Sequence, residues 1–332
     1  MQIKCPEKFD DIYVTEFLKE LALLANEKEL VIDFRTIKFV YPYATLLVAS
    51  GIRGIVKERH SNGLDTAALG LKSKENAISY LNFFGFFQYI GLESGNTPNN
   101  NSGNSNYIPI TIISEDSLSD CEGDLLQEKI DNKSLDLSKI IFEKESDDMK
   151  AYMLSYCIRE IIRNVFEHAE ANKCVIMGQK WRNGFAEIAI ADEGIGIFNT
   201  INPVHSVDNV EEGIRLALLP GISQETAPND VNNKWQNSGF GLYVISELGR
   251  EYGDFAISSN KLILHRKNNE ENIDTIPLEG TLIKLKIKTD CADYFPNILN
   301  NIVEKGEKEA SLITGARKSA SKQSRIIDMQ RW

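Results

Sequence analysis

Three polar residues share one face of a predicted helix in the middle of the chain. Within the stretch REIIRNVFEHA, Glu160, Asn164 and His168 follow one another at intervals of four residues. Residues with this spacing lie along one side of an α-helix. An Asn carbonyl oxygen is a neutral ligand that suits Mg²⁺, and a glutamate one turn earlier can orient or deprotonate a water or hydroxyl nucleophile. Taken alone, the stretch is better explained as a solvent-exposed helix face with unrelated polar residues.

A second segment joins a carboxylate to two glycines. Asp192 follows the apolar run FAEIAIA and begins the sequence DEGIGI. At the end of a strand, a carboxylate can accept a hydrogen bond from an amino group, while Gly194 and Gly196 permit close backbone approach and positive φ. The alternative is an ordinary glycine-rich turn, which is common after strands.

A third segment is a glycine-rich turn that opens a helix. The sequence NSGFGL, residues 237–242, runs directly into the helical stretch LYVISELG. The free N–H groups and the positive end of the helix dipole make such a turn a cradle for phosphate. Ser238 either adds a hydroxyl donor or serves simply as the N-cap.

The order of these segments resembles the Bergerat-fold ATP-binding domain of the GHKL superfamily, which includes gyrase, Hsp90, histidine kinases and MutL. REIIRNVFEHA resembles the N-box, DEGIGI the first glycine box and SGFGL the second, over roughly residues 150–289. The resemblance implies ATP and Mg²⁺ as ligands. The residues that it implies are Glu160 as general base, Asn164 as Mg²⁺ ligand, Asp192 as acceptor for the adenine amine, Thr281 as support for adenine through water, and His168, Gly194, Gly196, Ile197, Ser238, Gly239, Phe240, Gly241 and Leu242 as further nucleotide contacts.

Three activities are compatible with this set of residues. The first is an ATPase switch, in which Glu160 positions water and the nucleotide state controls a partner protein. The second is a serine/threonine kinase of the anti-sigma type, and the third is a nucleotide-gated binding scaffold without turnover. A histidine kinase is disfavoured because His60, the only histidine upstream of this half, has no acidic residue directly after it. The roughly 43 residues after position 289 are too few for a gyrase-like transducer domain, which favours a switch that works with a separate effector protein.

The first 114 residues are predicted to form an α/β domain, because helical and strand-like patterns alternate. The pattern predicts helices over residues 9–28, 45–63 and 74–92, a strand over 30–34, a flexible loop over 93–106 and a strand over 107–114. Residues 30–92 resemble the STAS domain of anti-sigma-factor antagonists. Pro42 stands where those proteins carry a phosphorylatable serine, so the resemblance implies no phosphorylation switch there. We prefer a plain α/β docking domain.

The remaining chain is predicted to form an α/β domain of the two-layer α+β sandwich type over residues 148–290. A helix over 148–169 and a hairpin with its turn at Asn183-Gly184 begin this domain. The resemblance implies that the irregular stretch 198–238 is the ATP lid. Residues 115–147 are predicted to be a solvated acidic linker with helical segments, since 115–150 hold twelve acidic and five basic residues. Residues 291–332 are predicted to be a helix with a disordered basic tail. The alternative is a tail that docks on an acidic partner, such as the chain's own 115–150 segment.

Composition limits the class of protein. The net charge of −11 argues against a basic surface for nucleic acid. Five scattered cysteines without a CxxC pair indicate reduced thiols and no zinc site. No apolar run reaches the length of a membrane span, and the N-terminus has no secretory pattern. We therefore expect a cytoplasmic protein that binds ATP and a protein effector but no nucleic acid or membrane, and a homodimer is left open.

Overall fold

The computed structural model of the chain describes residues 1–72, 76–100, 103, 106–118, 126–142, 148–223, 238–268 and 270–321. The strands in these ranges are β1 (Gln2–Lys4), β2 (Lys8–Phe9), β3 (Leu30–Asp33), β4 (Phe39–Val40), β5 (Thr66–Leu69), β6 (Tyr107–Ser114), β7 (Lys173–Lys180), β8 (Phe185–Asp192), β9 (Gly253–Ser259), β10 (Leu262–Lys267), β11 (Glu270–Thr275) and β12 (Thr281–Lys288). The helices are α1 (Asp11–Leu23), α2 (Pro42–Ser61), α3 (Asn76–Phe83), α4 (Phe86–Tyr89), α5 (Glu115–Leu118), α6 (Leu126–Phe142), α7 (Asp148–His168), α8 (Gly196–His205), α9 (Val210–Ala217), α10 (Gly241–Tyr252) and α11 (Phe295–Leu312). Within the described ranges, no helix combines the length and the apolar character needed to cross a membrane.

A seven-stranded antiparallel sheet lies at the centre of the fold. Its strand order is β11-β10-β9-β12-β8-β7-β6. In the N-terminal half, β1, β3 and β5 form a three-stranded parallel sheet, and β2 pairs in parallel with β4. Helices and strands are thus mixed along the chain, which confirms the predicted α/β class.

Both faces of the central sheet are buried. In β8, Ile188 and Ile190 pack under α6, α7, α10 and α11, whereas Ala189 and Ala191 pack against the N-terminal half. Successive strand residues point to opposite faces, so a strand covered on both sides needs apolar residues at every position. This explains the apolar residues at 188–191 before Asp192, and the N-terminal half supplies the layer on the second face of the sheet.

Two boundaries differ from the sequence prediction. The strand at 107–114 forms as expected, but β6 pairs with β7 at the edge of the central sheet instead of closing the N-terminal domain. Helix α6 is not a solvated linker, because Ile130, Leu137 and Ile141 are at most 2% exposed in the core beside α7. Glu128 and Asp136 are exposed, whereas Asp131 lies 3.8 Å from Arg159 of α7, so a count of charges did not reveal the apolar stripe of this amphipathic helix. Residues 119–125 and 143–147 of the predicted linker lie outside the described residues.

Helices also differ from the prediction at three places. The predicted helix over 74–92 is two helices, α3 and α4, separated at Gly85, where φ is +81°. The stretch predicted as an irregular lid contains α8 and α9, while residues 224–237 lie outside the described part of the chain. Helix α2 begins at Pro42, three residues before the predicted start. Pro suits the first helical position, and the Tyr43 N–H donates to the Glu187 carboxylate of β8 at 3.0 Å.

A buried charge cluster lies between the N-terminal half and the sheet. The Lys284 ammonium group donates to Asp11 Oδ2 at 2.5 Å and to Asp254 Oδ2 at 2.8 Å. The Lys284 side chain is 4% exposed, and these carboxylates together with Glu187 raise its pKa, against the opposing effect of burial. Asp11 comes from α1 and Asp254 from β9, so one ammonium group joins the two halves of the molecule.

We expect Lys284→Met to lower the free energy of unfolding by about 3 kcal/mol, the lower end of the range for a broken buried ion pair. The reason is that two carboxylates lose their cation while Asp254 remains largely buried. Chemical denaturation measures the loss. Lys286→Met is the matched control, because Lys286 lies two residues along the same strand and contacts the aromatic rings of Tyr41 and Trp181. Equal losses for the two variants would contradict a role for the cluster in joining the halves.

Candidate functional site

A cavity of about 100 Å³ opens between α7, the ends of β8 and β12, and the start of α10. Nine of the thirteen residues implied by the resemblance line it: Asn164, His168, Asp192, Gly196, Ile197, Gly239, Gly241, Leu242 and Thr281. Glu160, Gly194, Ser238 and Phe240 do not line it. The volume is below the range typical of a pocket that encloses a whole ligand, so a nucleotide would be enclosed only in part and would extend out of the opening.

Asp192 is the last residue of β8 and is 9% exposed. Its Oδ1 accepts a hydrogen bond from the Gly194 N–H at 2.8 Å, which is how Gly194 contributes without lining the cavity. Burial raises the pKa of the Asp192 carboxyl from 3.8 to about 6, although backbone hydrogen bonds from Gly194 and Thr281 oppose the shift. With a pKa of about 6, the Asp192 carboxyl is mostly ionised at pH 7 and is a hydrogen-bond acceptor at the cavity wall.

Ser259 and Asn260, which sequence reasoning missed, hold the first glycine box in place. Ser259 Oγ accepts from the Ile197 N–H at 2.9 Å and lies 3.2 Å from Thr281 Oγ1. Asn260 Oδ1 accepts from the Phe198 N–H, and its amide nitrogen donates to the Ile195 carbonyl at 3.0 Å. In the sequence these residues read only as a polar turn between two strands, so nothing there indicated this role.

Asn164 is half-buried on α7 and lines the cavity. Among the residues that the structure describes, its amide has no hydrogen-bond partner, although neighbouring polar groups on α7 are paired. A partly buried amide that faces a cavity without a partner is suited to a ligand, since polar groups removed from water normally find a partner. This agrees with the oxygen donor expected for Mg²⁺.

Glu160 lies beside the cavity and not in it. Its Oε1 accepts from Arg159 at 2.8 Å and lies 3.7 Å from Arg163. Its Oε2 packs against the first residue of α10, where a Cβ on Gly241 would lie 2.3 Å from that oxygen. Glu160 is 5% exposed, and its carboxylate lies between the Arg159 guanidinium and the start of α10. Its role as general base stays a prediction.

His168 lines the cavity as a neutral ring. Burial, with the positive charges of Arg163 and Arg317 adding to the effect, lowers the pKa of His168 to about 4. Its Nε2 lies 3.3 Å from Glu167 Oε2, and its carbonyl accepts from Thr200 Oγ1 at 3.1 Å. The ring therefore adds shape to the cavity wall and no positive charge at neutral pH.

The second glycine box stands at the amino end of α10, a helix of twelve residues. Gly239, Gly241 and Leu242 line the cavity, so the start of α10 borders it. Phe240 is fully buried in the core and Ser238 is 7% exposed. Both side chains therefore stabilise the turn from within the core and do not line the cavity.

Apolar residues supply most of the remaining wall, and the sequence reasoning did not select them. They come from α7, β8, β12 and the α8–α9 region: Ile161, Val165, Ala169, Ile190, Ile201, Ala217, Ile222 and Ile283. Each looks like ordinary core in the sequence, because a cavity lined by Ile, Val and Ala has the same periodicity as a packed interior. Only the gap between the helices and strands that carry them distinguishes these residues from packed core residues.

A second group of potential ligands lies in the buried charge cluster. Asp11, Asp254 and His265 place their ligand atoms within 4.8 Å of one another. Lys284 already donates to both carboxylates, so its ammonium group takes the place that a metal ion would need. Burial also lowers the pKa of His265. We interpret the group as the contact between the two halves of the molecule and not as a metal centre.

Comparisons with known proteins add no family assignment. No protein-family model matches the chain, and no curated protein matches its sequence.

Replacing Asp192 should separate stability from ligand binding. Between the unfolded-state pKa near 3.9 and the folded-state pKa of about 6, the folded protein binds the extra proton, so the unfolding free energy falls as pH rises through this window. Across this window the unfolding free energy falls by up to about 3 kcal/mol, since each pKa unit corresponds to roughly 1.4 kcal/mol. We expect ligand-free Asp192→Asn to lose this pH dependence and to be more stable than the wild type at pH 7.

Denaturation curves between pH 4 and pH 7.5 measure this difference. Glu193→Gln is the control, since it removes a neighbouring carboxylate whose side chain is 60% exposed. An Asp192→Asn protein that is less stable than the wild type at pH 7, with the pH dependence kept, would contradict the assignment of the raised pKa to Asp192.

Proposed function

We propose that the chain is an ATP- and Mg²⁺-binding regulatory protein whose nucleotide state controls a partner protein. The observation that carries this proposal is the convergence of Asn164, Asp192, Thr281 and the Gly239–Gly241 turn on one cavity. These residues come from four separated stretches of sequence, and each offers the group that the resemblance implies. A turn or a helix face can occur by chance, but four such features around one cavity support a common ligand.

The Asp192 end of the cavity suits an adenine base. An ionised carboxylate accepts hydrogen bonds and cannot donate them, so it selects an amino group over a carbonyl at the edge of a base. Adenine presents an exocyclic amine at the position where guanine presents a carbonyl oxygen. The walls formed by Ile190 and Ile283 provide apolar surface for the faces of a planar ring.

The Gly241 end of the cavity suits the phosphates. A helix start with free N–H groups attracts anions, and the half-buried Asn164 amide on α7 lines the same cavity. Mg²⁺ binds through few protein oxygens together with phosphate oxygens and waters, so one Asn oxygen is sufficient as a protein ligand. In this proposal, Asn164 holds the metal ion that neutralises part of the phosphate charge.

The surroundings of Glu160 favour nucleotide-gated binding over rapid turnover. A general base must reach the nucleophile within hydrogen-bond distance. Glu160 is bonded to Arg159, is 5% exposed and does not line the cavity. ATP hydrolysis or phosphoryl transfer to a partner hydroxyl would first require this carboxylate to leave Arg159.

The N-terminal half is in a position to respond to the site. Glu193, the residue after Asp192, bonds through Oε1 to Arg53 Nε of α2 at 3.0 Å. Arg53 also donates to the Tyr89 carbonyl and lies over the Tyr89 ring. The turn that binds the base in this proposal is therefore in direct contact with the α/β half, which supports that half as the scaffold for a protein effector.

Asn164→Ala should remove the Mg²⁺ dependence of ATP binding. The variant loses the protein oxygen for the metal ion, so we expect its ATP affinity in Mg²⁺ to fall to the wild-type value measured in EDTA. Titration calorimetry in each condition gives the comparison. Asn199→Ala is the control, because Asn199 is an exposed amide on α8 that bonds to the Ile195 carbonyl outside the cavity. A variant that keeps the full gain from Mg²⁺ would rule out Asn164 as the metal ligand.

Glu160→Gln should leave any slow phosphate release nearly unchanged, because the carboxylate is held by Arg159 and does not act as a base. Single-turnover assays with labelled ATP measure release for the wild type and the variant, with and without candidate partner proteins. A loss of about a hundredfold or more in release or in transfer to a partner hydroxyl is the size expected for a general base. Such a loss would restore the ATPase or kinase alternative.

A further inference from the structure

The two edges of the central sheet are covered differently. At the β6 edge, the Asn99 side chain accepts from the Ile112 N–H at 2.7 Å and donates to the Ile112 carbonyl at 2.9 Å. The Ile110 N–H of the same strand donates to the Phe84 carbonyl at 3.1 Å. These contacts with the N-terminal half occupy backbone groups that an edge strand otherwise leaves open. The β6 edge is therefore blocked at its centre.

The β11 edge is open over the described residues. Strand β11 pairs along its whole length with β10, from Glu270 opposite Lys267 to Thr275 opposite Leu262. No described segment pairs with the other side of β11. Alternate residues of such a strand direct their N–H and C=O groups away from the sheet. The seven-stranded sheet thus ends in a row of backbone groups to which an eighth strand can bond.

A groove of about 540 Å³ lies beside this edge, between α1 and the sheet. Strand β11 contributes Glu270, Asn272 and Asp274 to its lining, and α1 contributes Ile12, which is 75% exposed. The three β11 residues alternate along the strand, so they lie on one face of the sheet. Side chains of an added strand that face the same way would therefore enter the groove, whose volume is in the range of pockets that enclose a ligand.

The groove carries an excess of negative charge. Its lining has seven carboxylates and three ammonium groups: Asp10, Asp11, Glu16, Glu187, Asp254, Glu270 and Asp274, against Lys267, Lys284 and Lys286. Lys8 and Lys19 add two cations from outside the lining through ion pairs with Asp10 and Asp274, and carboxylates remain in excess. A segment that docks here therefore gains from Lys or Arg side chains.

A second copy of the chain is a poor occupant of this edge. Strand β11 has the sequence EENIDT, with three acidic residues and no basic one. Pairing of two such strands would bring like charges opposite each other, which destabilises a sheet. The edge therefore favours a strand of the opposite charge.

The described part of the chain's own basic tail is held elsewhere. The sequence predicts a disordered tail after α11, but the structure packs residues 313–321 beside this helix. Lys318 donates to the carbonyls of Ala310 and Ile313 at 2.6 and 2.7 Å, and Ile313 packs against the core. Residues 322–332 of the predicted tail lie outside the described residues. The cations that suit the groove are therefore sought on a partner.

We propose that β11 and this groove form the docking site for a basic, extended segment of the effector protein. The segment adds to the sheet as a strand beside β11 and places Lys or Arg side chains among the carboxylates of the groove. In this mode of recognition, backbone hydrogen bonds supply affinity and alternate side chains supply specificity. The inference names the kind of partner that the proposed function requires, and it rests on that function only for the identity of the partner as an effector.

Fluorescence anisotropy of a labelled octapeptide of alternating lysine and valine tests this site on the full chain without nucleotide. We expect this peptide to bind and a peptide of alternating glutamate and valine not to bind. Two further peptides carry methyl groups on the backbone nitrogens of either the lysines or the valines. One of them should bind about tenfold or more weakly, because it loses the donors that face β11, and the other is its matched control.

Glu270→Lys should weaken binding of the lysine peptide about fivefold, since it replaces an attractive charge at the edge by a repulsive one. Glu304→Lys is the matched control, because it makes the same change at an exposed position of α11 outside the groove. Equal weakening in the two variants would overturn the inference, since the net charge of the chain would then explain the binding.

No binding of the lysine peptide, or equal binding of the unmodified and both methylated peptides, would overturn this inference and leave the ATP site intact. A dimer that the peptide dissociates in sedimentation experiments would assign the edge to a second copy. Tighter peptide binding by the full chain with Arg325→Glu and Arg331→Glu would assign the edge to the chain's own tail. Either result would overturn the choice of a partner protein. Peptide binding by a chain that does not bind ATP would instead overturn the proposed function alone.

Discussion

The register of three neighbouring strands determines where the site can form. Asp192 of β8 lies opposite Thr281 of β12, and Thr281 lies opposite Ser259 of β9. These polar residues therefore form one row at one end of the sheet. A slip of one residue in β12 would turn Thr281 to the other face and remove Ile283 from the cavity wall. The glycine box, the cavity and the start of α8 all depend on this row.

Burial of this row leaves the Asp192 charge without a neighbouring cation, whereas other buried charges in the structure are paired. Asp192 keeps an ionised carboxylate at pH 7 with two backbone donors and no cation nearby in the described structure, so it destabilises the protein relative to a neutral residue. Elsewhere, buried charges are paired, as Lys284 is with Asp11 and Asp254. A buried carboxylate without a cation is understandable when a ligand supplies a further donor, which connects the destabilising effect of Asp192 to its proposed use.

The sequence predicted the elements with strong local signals and missed those that depend on distant contacts. Helix α7, the β7–β8 hairpin at Asn183-Gly184 and α10 follow from periodicity, turn chemistry and the glycine-rich start. The early start of α2 depends on a carboxylate from Glu187, which is 144 residues away from Tyr43. Pairing of β6 with the central sheet and packing of α6 likewise depend on partners that no local pattern reveals.

The candidate site shows the same division. Asn164, Asp192 and the second glycine box stand out because polar residues and glycines at such spacings are unusual. The residues of the apolar wall resemble ordinary core residues in the sequence, and Ser259 and Asn260 carry no pattern that sets them apart. Glu160 was selected for its spacing from Asn164, but spacing does not show that Arg159 and Gly241 occupy its carboxylate.

The proposal that the cavity selects adenine nucleotides with Mg²⁺ is tested most directly by calorimetric titration of the wild-type chain with ATP and GTP, each in Mg²⁺ and in EDTA. The account predicts binding of ATP that is at least tenfold tighter than binding of GTP, because the Asp192 carboxylate accepts from an amine and repels a carbonyl. It also predicts that EDTA weakens ATP binding. Equal affinities for ATP and GTP, or no heat of binding for ATP in Mg²⁺, would contradict it.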